Sequence, residues 1–173
     1  SYIGRVSDDK CVRNVIDAAF ILKNLYDMCI AVKVVGDGTS QHKEILHAND
    51  LGFDSEIFTG WVDDISAEIL AADIVITGGR YEGFGNVVAE CVILKTAVAI
   101  PYNCGGSEEI LDAVLDASEQ IKFTFGDHIC LARAIFAFSQ KGRVGPRGEV
   151  DYSNLGIFNR RRLLDEFARE ISQ

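Results

Sequence analysis

The sequence predicts an α/β domain built on a parallel sheet with helices on both faces. Three observations predict it. Short runs rich in β-branched residues alternate with amphipathic stretches along the chain. The clearest runs are apolar throughout, as in strands buried on both sides. The strand–helix–strand order recurs five times, which places neighbouring strands parallel.

Tyr2 to Val6 reads as the first strand. Residues 12 to 26 carry Val12, Val15, Ile16, Ala19 and Phe20 at helical spacing on one stripe. Ile30 to Val35 is a buried-type strand stopped by Gly36-Asp37-Gly38. Residues 40 to 50 follow as a helix, closed near Gly52. Glu56 to Thr59 forms a third strand, ended by Gly60. Asp63 or Asp64 then caps a short helix through Ala71. Asp73 to Thr77 is the fourth strand, with a helix from about Gly85 to Leu94 after a Gly-rich turn. Ala97 to Ile100 is the fifth strand, and Gly105-Gly106-Ser107 opens a helix to about Leu115. Ile121 to Phe125 is a sixth strand. Helices near 127–140 and 156–171 close the chain, with a surface loop at Lys141 to Ser153 between them.

At 173 residues and 19.0 kDa, the chain suits one domain over 1–173. The 48% hydrophobic and 25% charged content is globular and excludes a disordered chain. A net charge of −9 disfavours a nucleic-acid partner, because an acidic surface repels phosphate backbones. The five cysteines, at 11, 29, 91, 104 and 130, show no CxxC pair, which points to a reducing compartment. No apolar run reaches the roughly 18 residues of a membrane helix, and no signal segment opens the chain. The start without Met, directly on a strand, reads as a piece of a longer polypeptide.

Ligands of such sheets bind outside the carboxyl ends of the strands, and every notable motif falls there. The strongest is Gly78-Gly79-Arg80-Tyr81-Glu82-Gly83-Phe84-Gly85-Asn86, with Glu90 eight residues after Glu82. Glycines let the backbone approach a ligand, and a helix start offers unpaired N–H groups to an anion such as diphosphate. Glu82 and Glu90 would face a sugar and a diol. The same residues also fit a plain Gly-rich turn before an exposed helical glutamate. Arg5 and Lys10, after the first strand, form a pair able to clamp a diphosphate, unless Asp8 and Asp9 neutralise them. Val35-Gly36-Asp37-Gly38 lacks the third glycine of a dinucleotide fingerprint and reads as a tight turn. Trp61 either lines a base pocket or anchors its loop. No GxxxxGK, HExxH or GxSxG motif is present, and His42, His47 and His128 read as surface residues.

Taken together, these motifs resemble the carboxy-terminal, donor-binding domain of retaining GT-B glycosyltransferases of the group 1 or family 4 class. The residues that carry the resemblance are Gly4-Arg5 with Lys10, Val35 to Gly38, Gly60 with Val62, Arg80 to Gly85 with Glu90, and Gly105-Gly106 with Glu108 or Glu109. They run in the family's order over roughly residues 2 to 140.

The resemblance implies a Rossmann-like domain that forms one half of a GT-B fold. It implies that Arg5 and Lys10 hold the donor diphosphate. Glu82, the first carboxylate of E-x7-E, would contact the donor sugar and serve catalysis, and Glu90 would bind the ribose. The backbone of Gly83, Phe84, Gly85 and Asn86 would cradle sugar and phosphate, while Trp61 and Val62 meet the base. No cofactor and no bound metal are implied, in line with the lack of an Asp-x-Asp motif. The implied reaction moves a hexose from a UDP- or GDP-sugar to a glycan, lipid or small acceptor, with retention. The implied setting is the cytoplasm, with the full enzyme peripheral at the inner face of a membrane where it attaches at all. The amino-terminal acceptor domain is absent from this sequence, so the isolated chain is expected to bind donor and not to transfer sugar. The alternatives are a non-catalytic nucleotide-sugar binding module or partner subunit, and a related GT-B epimerase or phosphorylase. The sequence departs from the family at Cys11, Lys95 and Ala97, where Gly, Gly and Pro are usual. Lys95 is expected in a left-handed helix cap.

Overall fold

The computed structural model describes residues 1–141. Six strands form one parallel sheet: β1 (Tyr2–Ile3), β2 (Val34–Val35), β3 (Phe58–Gly60), β4 (Ile74–Ile76), β5 (Ala97–Pro101) and β6 (Ile121–Phe123). Their order across the sheet is β3-β2-β1-β4-β5-β6. The helices are α1 (Val12–Leu25), α2 (Gln41–Asp50), α3 (Ser66–Leu70), α4 (Asn86–Ile93), α5 (Gly106–Val114) and α6 (His128–Gln140). This is the Rossmann-like arrangement that the sequence predicts, strand for strand.

Both faces of the sheet are buried because adjacent strand residues point to opposite sides. Tyr2, Val34, Ile76 and Ala99 pack with Ile16 and Leu22 of α1 and with Leu131 and Ile135 of α6. Ile3, Val35, Val75 and Val98 pack with Ile69 of α3, Val88 and Val92 of α4, and Ile110 and Leu111 of α5. The continuous apolar runs of the sequence follow directly from this two-sided burial.

The first two strands are shorter than expected, yet their pairing is not. Tyr2, Gly4 and Val6 donate N–H bonds to the carbonyls of Lys33, Val35 and Asp37 at 2.8, 3.0 and 2.7 Å. Chain alignment therefore persists past the regular strand and delivers Arg5 to the sheet's carboxyl edge. The third strand is a correction. Ser55–Ile57 form a 3-10 turn, because Asp54 Oδ1 accepts the Glu56 N–H at 3.0 Å, and only Phe58–Gly60 joins the sheet. The N-cap of α3 is Ile65 rather than Asp63 or Asp64, with Asp64 one residue before it accepting the Ser66 N–H, and Asp127 caps α6 by accepting from Cys130 N–H. The expected loop 141–153 and the helix 156–171 lie outside the described residues, save Lys141.

Lys95 does occupy the left-handed region, at φ 58°, with its N–H bonded to Val92 O. An L side chain costs about 1 kcal/mol there. Lys95→Gly is expected to stabilise the chain by roughly 0.5–1 kcal/mol, less than the full relief because glycine also loosens the unfolded chain. Chemical denaturation measures it; an unchanged or lower midpoint contradicts the strain.

Candidate functional site

The chain leaves β1 outward to β2 and β3, then returns to the other side of β1 as β4. Loops after β1 and β4 therefore diverge, and a crevice opens at this reversal. The structure has a cleft of about 220 Å³ there. Gly4, Arg5 and Lys10 line it from β1; Thr77, Gly78 and Glu82 from β4; Phe84 to Val88 from the start of α4; and Ser107 from α5.

The two sides are held together at the cleft by Lys10 Nζ, which donates to Glu82 Oε1. Their side chains are 17% and 30% exposed, so both are screened from bulk water but open to the cleft. The backbone beneath them packs very closely. A Cβ on Gly78 would stand 1.9 Å from the Lys10 carbonyl oxygen. A Cβ on Gly79 would stand 2.5 Å from Glu82 Oε1 and 2.7 Å from Lys10 Nζ. The paired glycines are thus there to admit the Lys10–Glu82 pair. Among the described residues neither Asp8 nor Asp9 forms a salt bridge with Lys10 or Arg5, although, after its Ser7 hydrogen bond, both of those charges lower the Asp9 carboxyl. Asp8 accepts from Ser40 Oγ and Lys43 Nζ, which hold its carboxyl below the usual range, and Asp9 accepts from Ser7 Oγ at 2.6 Å. The carbonyl of Arg5 accepts the Tyr2 hydroxyl at 2.8 Å, fixing that turn from within the core.

Helix α4 starts at the cleft with no side-chain cap at Gly85. Asn86, Val87 and Val88 of its first turn line the cavity. The Asn86 N–H is taken by Phe84 O at 2.9 Å, so it is the positive end of the helix dipole that meets the same space as Arg5 and Lys10. Together they form a site for an anion, with a carboxylate at Glu82 on its rim. Glu82 itself is fixed by its backbone: its N–H donates to Cys104 O at 2.9 Å, and its carbonyl accepts from Gly106 N–H at 2.8 Å.

Four of the expected residues, Gly83, Glu90, Trp61 and Val62, lie outside the lining. Glu90 is one turn further along α4 and partly buried. Burial, and then the negative charge of Asp64, raise its carboxyl above the usual range. Trp61 is 72% exposed, with its indole N–H on Asp63 Oδ1 at 3.2 Å. Val62 packs partly buried against the α3–α5 face of the core. Glu90 and the Trp61–Asp64 loop thus form a second group, joined to the cleft by the length of α4's first turns. Sequence reasoning missed Thr77 and Ser107, both buried and polar at the cleft wall. Ser107 followed a Gly-Gly pair at a helix start, which was the available signal. Among the described residues no group of three or more His, Cys, Asp or Glu could hold a metal ion. No helix among them is long and apolar enough to cross a membrane.

The fold recurs in solved structures. HepE of Anabaena in complex with UDP superposes with a TM-score of 0.66 at 22% identity, over 99% of this chain and 47% of HepE. WaaG, a glycosyltransferase involved in lipopolysaccharide biosynthesis, gives 0.65 at 23% identity over 82% and 38%. The C-terminal domain of LpcC, a group 1 family protein of Francisella tularensis, gives 0.66 at 23% identity over 83% and 75%. The chain thus spans about half the length of HepE or less than half that of WaaG. No curated protein matches it. The family of group 1 glycosyl transferases matches residues 1–135, which hold every strand, the cleft and all but the end of the last described helix. The chain belongs to the group 1 glycosyl transferases.

Proposed function

We propose that this chain is the donor-binding, carboxy-terminal half of a retaining GT-B glycosyltransferase of family 4. The observation that carries the reading is the Lys10–Glu82 pair at the strand-order reversal, beside the uncapped start of α4. A cation, a helix N-terminus and a carboxylate in one cleft suit a diphosphate joined to a sugar. Arg5, Lys10 and α4 offset the charge that develops on the departing diphosphate, and Glu82 orients the sugar. Bound charge compensation of this kind operates without a metal ion. Glu90 receives the ribose hydroxyls, and the loop of Trp61 and Val62 meets the base. HepE in complexes with UDP, and with UDP-glucose, lends support to a uridine donor; a GDP-sugar fits the same phosphate chemistry. The acceptor, a glycan, lipid or small molecule, belongs to an amino-terminal domain, and the working enzyme is cytoplasmic or peripheral at the inner membrane face.

Calorimetric titration with UDP, GDP, ADP and their sugars tests the reading. Saturable binding of one base is the expected result, and absence of binding to millimolar concentration by both this chain and a two-domain form would defeat it. The anomeric configuration of the two-domain enzyme's product tests retention.

The nucleotide affinity is expected to depend on pH through Glu90. Ribose hydroxyls donate to its carboxylate, so binding weakens as pH falls through the raised pKa, at higher pH than an ordinary glutamate would give. Glu90→Gln removes that dependence. Stability moves the opposite way. A carboxyl raised in the folded state favours folding below its unfolded pKa, and that contribution is lost as pH rises through the folded value. Glu90→Gln is therefore expected to raise the melting temperature at pH 7 and leave it unchanged near pH 3.

A further inference from the structure

Glu82 lies outside the strands and helices and is held by a single parallel bridge to Gly105. Both of its backbone groups are fastened to one turn, Asn103 to Gly106, through Cys104 O and Gly106 N–H. That turn is itself a costly conformation. Asn103 sits at φ 58°, in the left-handed region, and the segment precedes the helix start of α5. Its N–H finds an acceptor in Glu108 Oε2 at 2.8 Å. The other oxygen of the same carboxylate, Oε1, accepts from Lys122 Nζ of β6 at 2.9 Å. Lys122 also reaches Asp112 Oδ1 at 2.8 Å, so its ammonium is anchored on a second side. Tyr102 N–H on Phe123 O ties the start of the turn to the same strand.

We propose that Glu108 is a positioning residue for the donor site: it spans the Asn103 amide and the Lys122 ammonium, and so fixes the turn that holds Glu82 in the cleft. The proposal rests on the reading of Glu82 as the sugar-facing carboxylate. It differs from a general packing role in one respect. Loss of Glu108 moves the group that meets the sugar, while Arg5, Lys10 and the start of α4, which meet the diphosphate, stay in place.

Amide hydrogen exchange on the 173-residue chain tests the clamp without any ligand. In Glu108→Ala the amides of Glu82 and Gly106 are expected to exchange about tenfold faster or more, while those within α1 and α6 keep their rates. Glu108→Gln keeps an acceptor for the Asn103 N–H and is expected to recover most of the protection. Asp112→Ala, which leaves the Glu108–Asn103 bond intact, is expected to change neither amide. Should Glu108→Ala fail to fold, Lys122→Gln gives the same local change in smaller measure. Unchanged Glu82 and Gly106 rates in a folded variant overturn the proposal. Titration of the same chains with UDP and UDP-glucose supplies the functional arm. The gain in affinity that glucose adds over UDP is expected to shrink in Glu108→Ala with UDP affinity itself unchanged or raised, since a displaced Glu82 competes less for Lys10, and an equal loss for both ligands overturns positioning. If neither the wild-type chain nor a two-domain form binds either ligand, the sugar-facing role falls from Glu82 and Glu108 together, while the exchange rates still decide whether Glu108 holds the turn.

Discussion

Lys10→Met is expected to weaken UDP binding on the order of 30-fold and to leave uridine binding unchanged. Hydrogen bonds to a charged group contribute roughly 1.5–3 kcal/mol, and about 2 kcal/mol corresponds to that factor. Lys10 is the less exposed of the pair, at 17% for its side chain, so its charge is only partly screened by solvent. Lys10 already holds an anion, Glu82, and a diphosphate must compete for it. This competition sets the sign of the companion variant. Glu82→Gln removes the competing charge, so UDP is expected to bind several-fold more tightly, while the gain from an attached sugar disappears. The pair of titrations has a sharp failure: Glu82→Gln weakening UDP as much as Lys10→Met would mean that the two residues serve only to hold the loops together. Arg5 is exposed, so solvent screens its charge more strongly, and its substitution is expected to act less strongly than that of Lys10.

Much of this site was legible before any coordinates, for reasons that differ from residue to residue. Glycine pairs, a helix start and two cations stood at strand ends, where a parallel sheet exposes its loops, and that placement follows from period alone. The left-handed conformation at Lys95 followed from the resemblance, in which Gly stands at that position, and not from the local pattern. The Lys10–Glu82 contact was not readable. Seventy-two positions separate the two residues, and only the closing of β1 against β4 brings them together. Asp8 and Asp9 stood much nearer in sequence and were credible partners for Lys10. Asp8 is drawn off by Ser40 and Lys43, 32 and 35 positions away, while Asp9 bonds Ser7 and still feels the Lys10 and Arg5 charges. The strand at 56–59 lost its first two residues to the side chain of Asp54, a short-range capture that competes with sheet pairing. Glu90 shares the E-x7-E spacing with Glu82 but not its cavity. Glu82 precedes α4 in a turn, so helical spacing does not set the direction of both carboxylates.

Gly78→Ala is expected to be among the most damaging single methyls in the described fold, because of what it meets. The added Cβ would stand 1.9 Å from Lys10 O and 3.0 Å from Lys10 C, both backbone atoms, so no side-chain rotation relieves the clash. Overpacking in close-packed regions costs typically 1–3 kcal/mol, and a rigid backbone contact belongs at or above the upper end, about 3 kcal/mol. Two routes of relief exist. Either β4 moves away from β1, which breaks the pairing of Tyr2 with Ile76, or the 3-10 turn of Asp8–Lys10 shifts and carries the Lys10 ammonium with it. The first route lowers stability alone. The second lowers stability less and separates Lys10 from Glu82, so it adds a loss of UDP affinity at temperatures where the variant is fully folded. Denaturation and titration on one sample distinguish them. Gly52→Ala is the matched control, since a Cβ there meets no atom within 4 Å and only the strain of its φ of 77° remains. If Gly78→Ala costs no more than Gly52→Ala, then β1 and β4 are not packed as closely as the cleft requires, and the placement of Lys10 beside Glu82 falls with them.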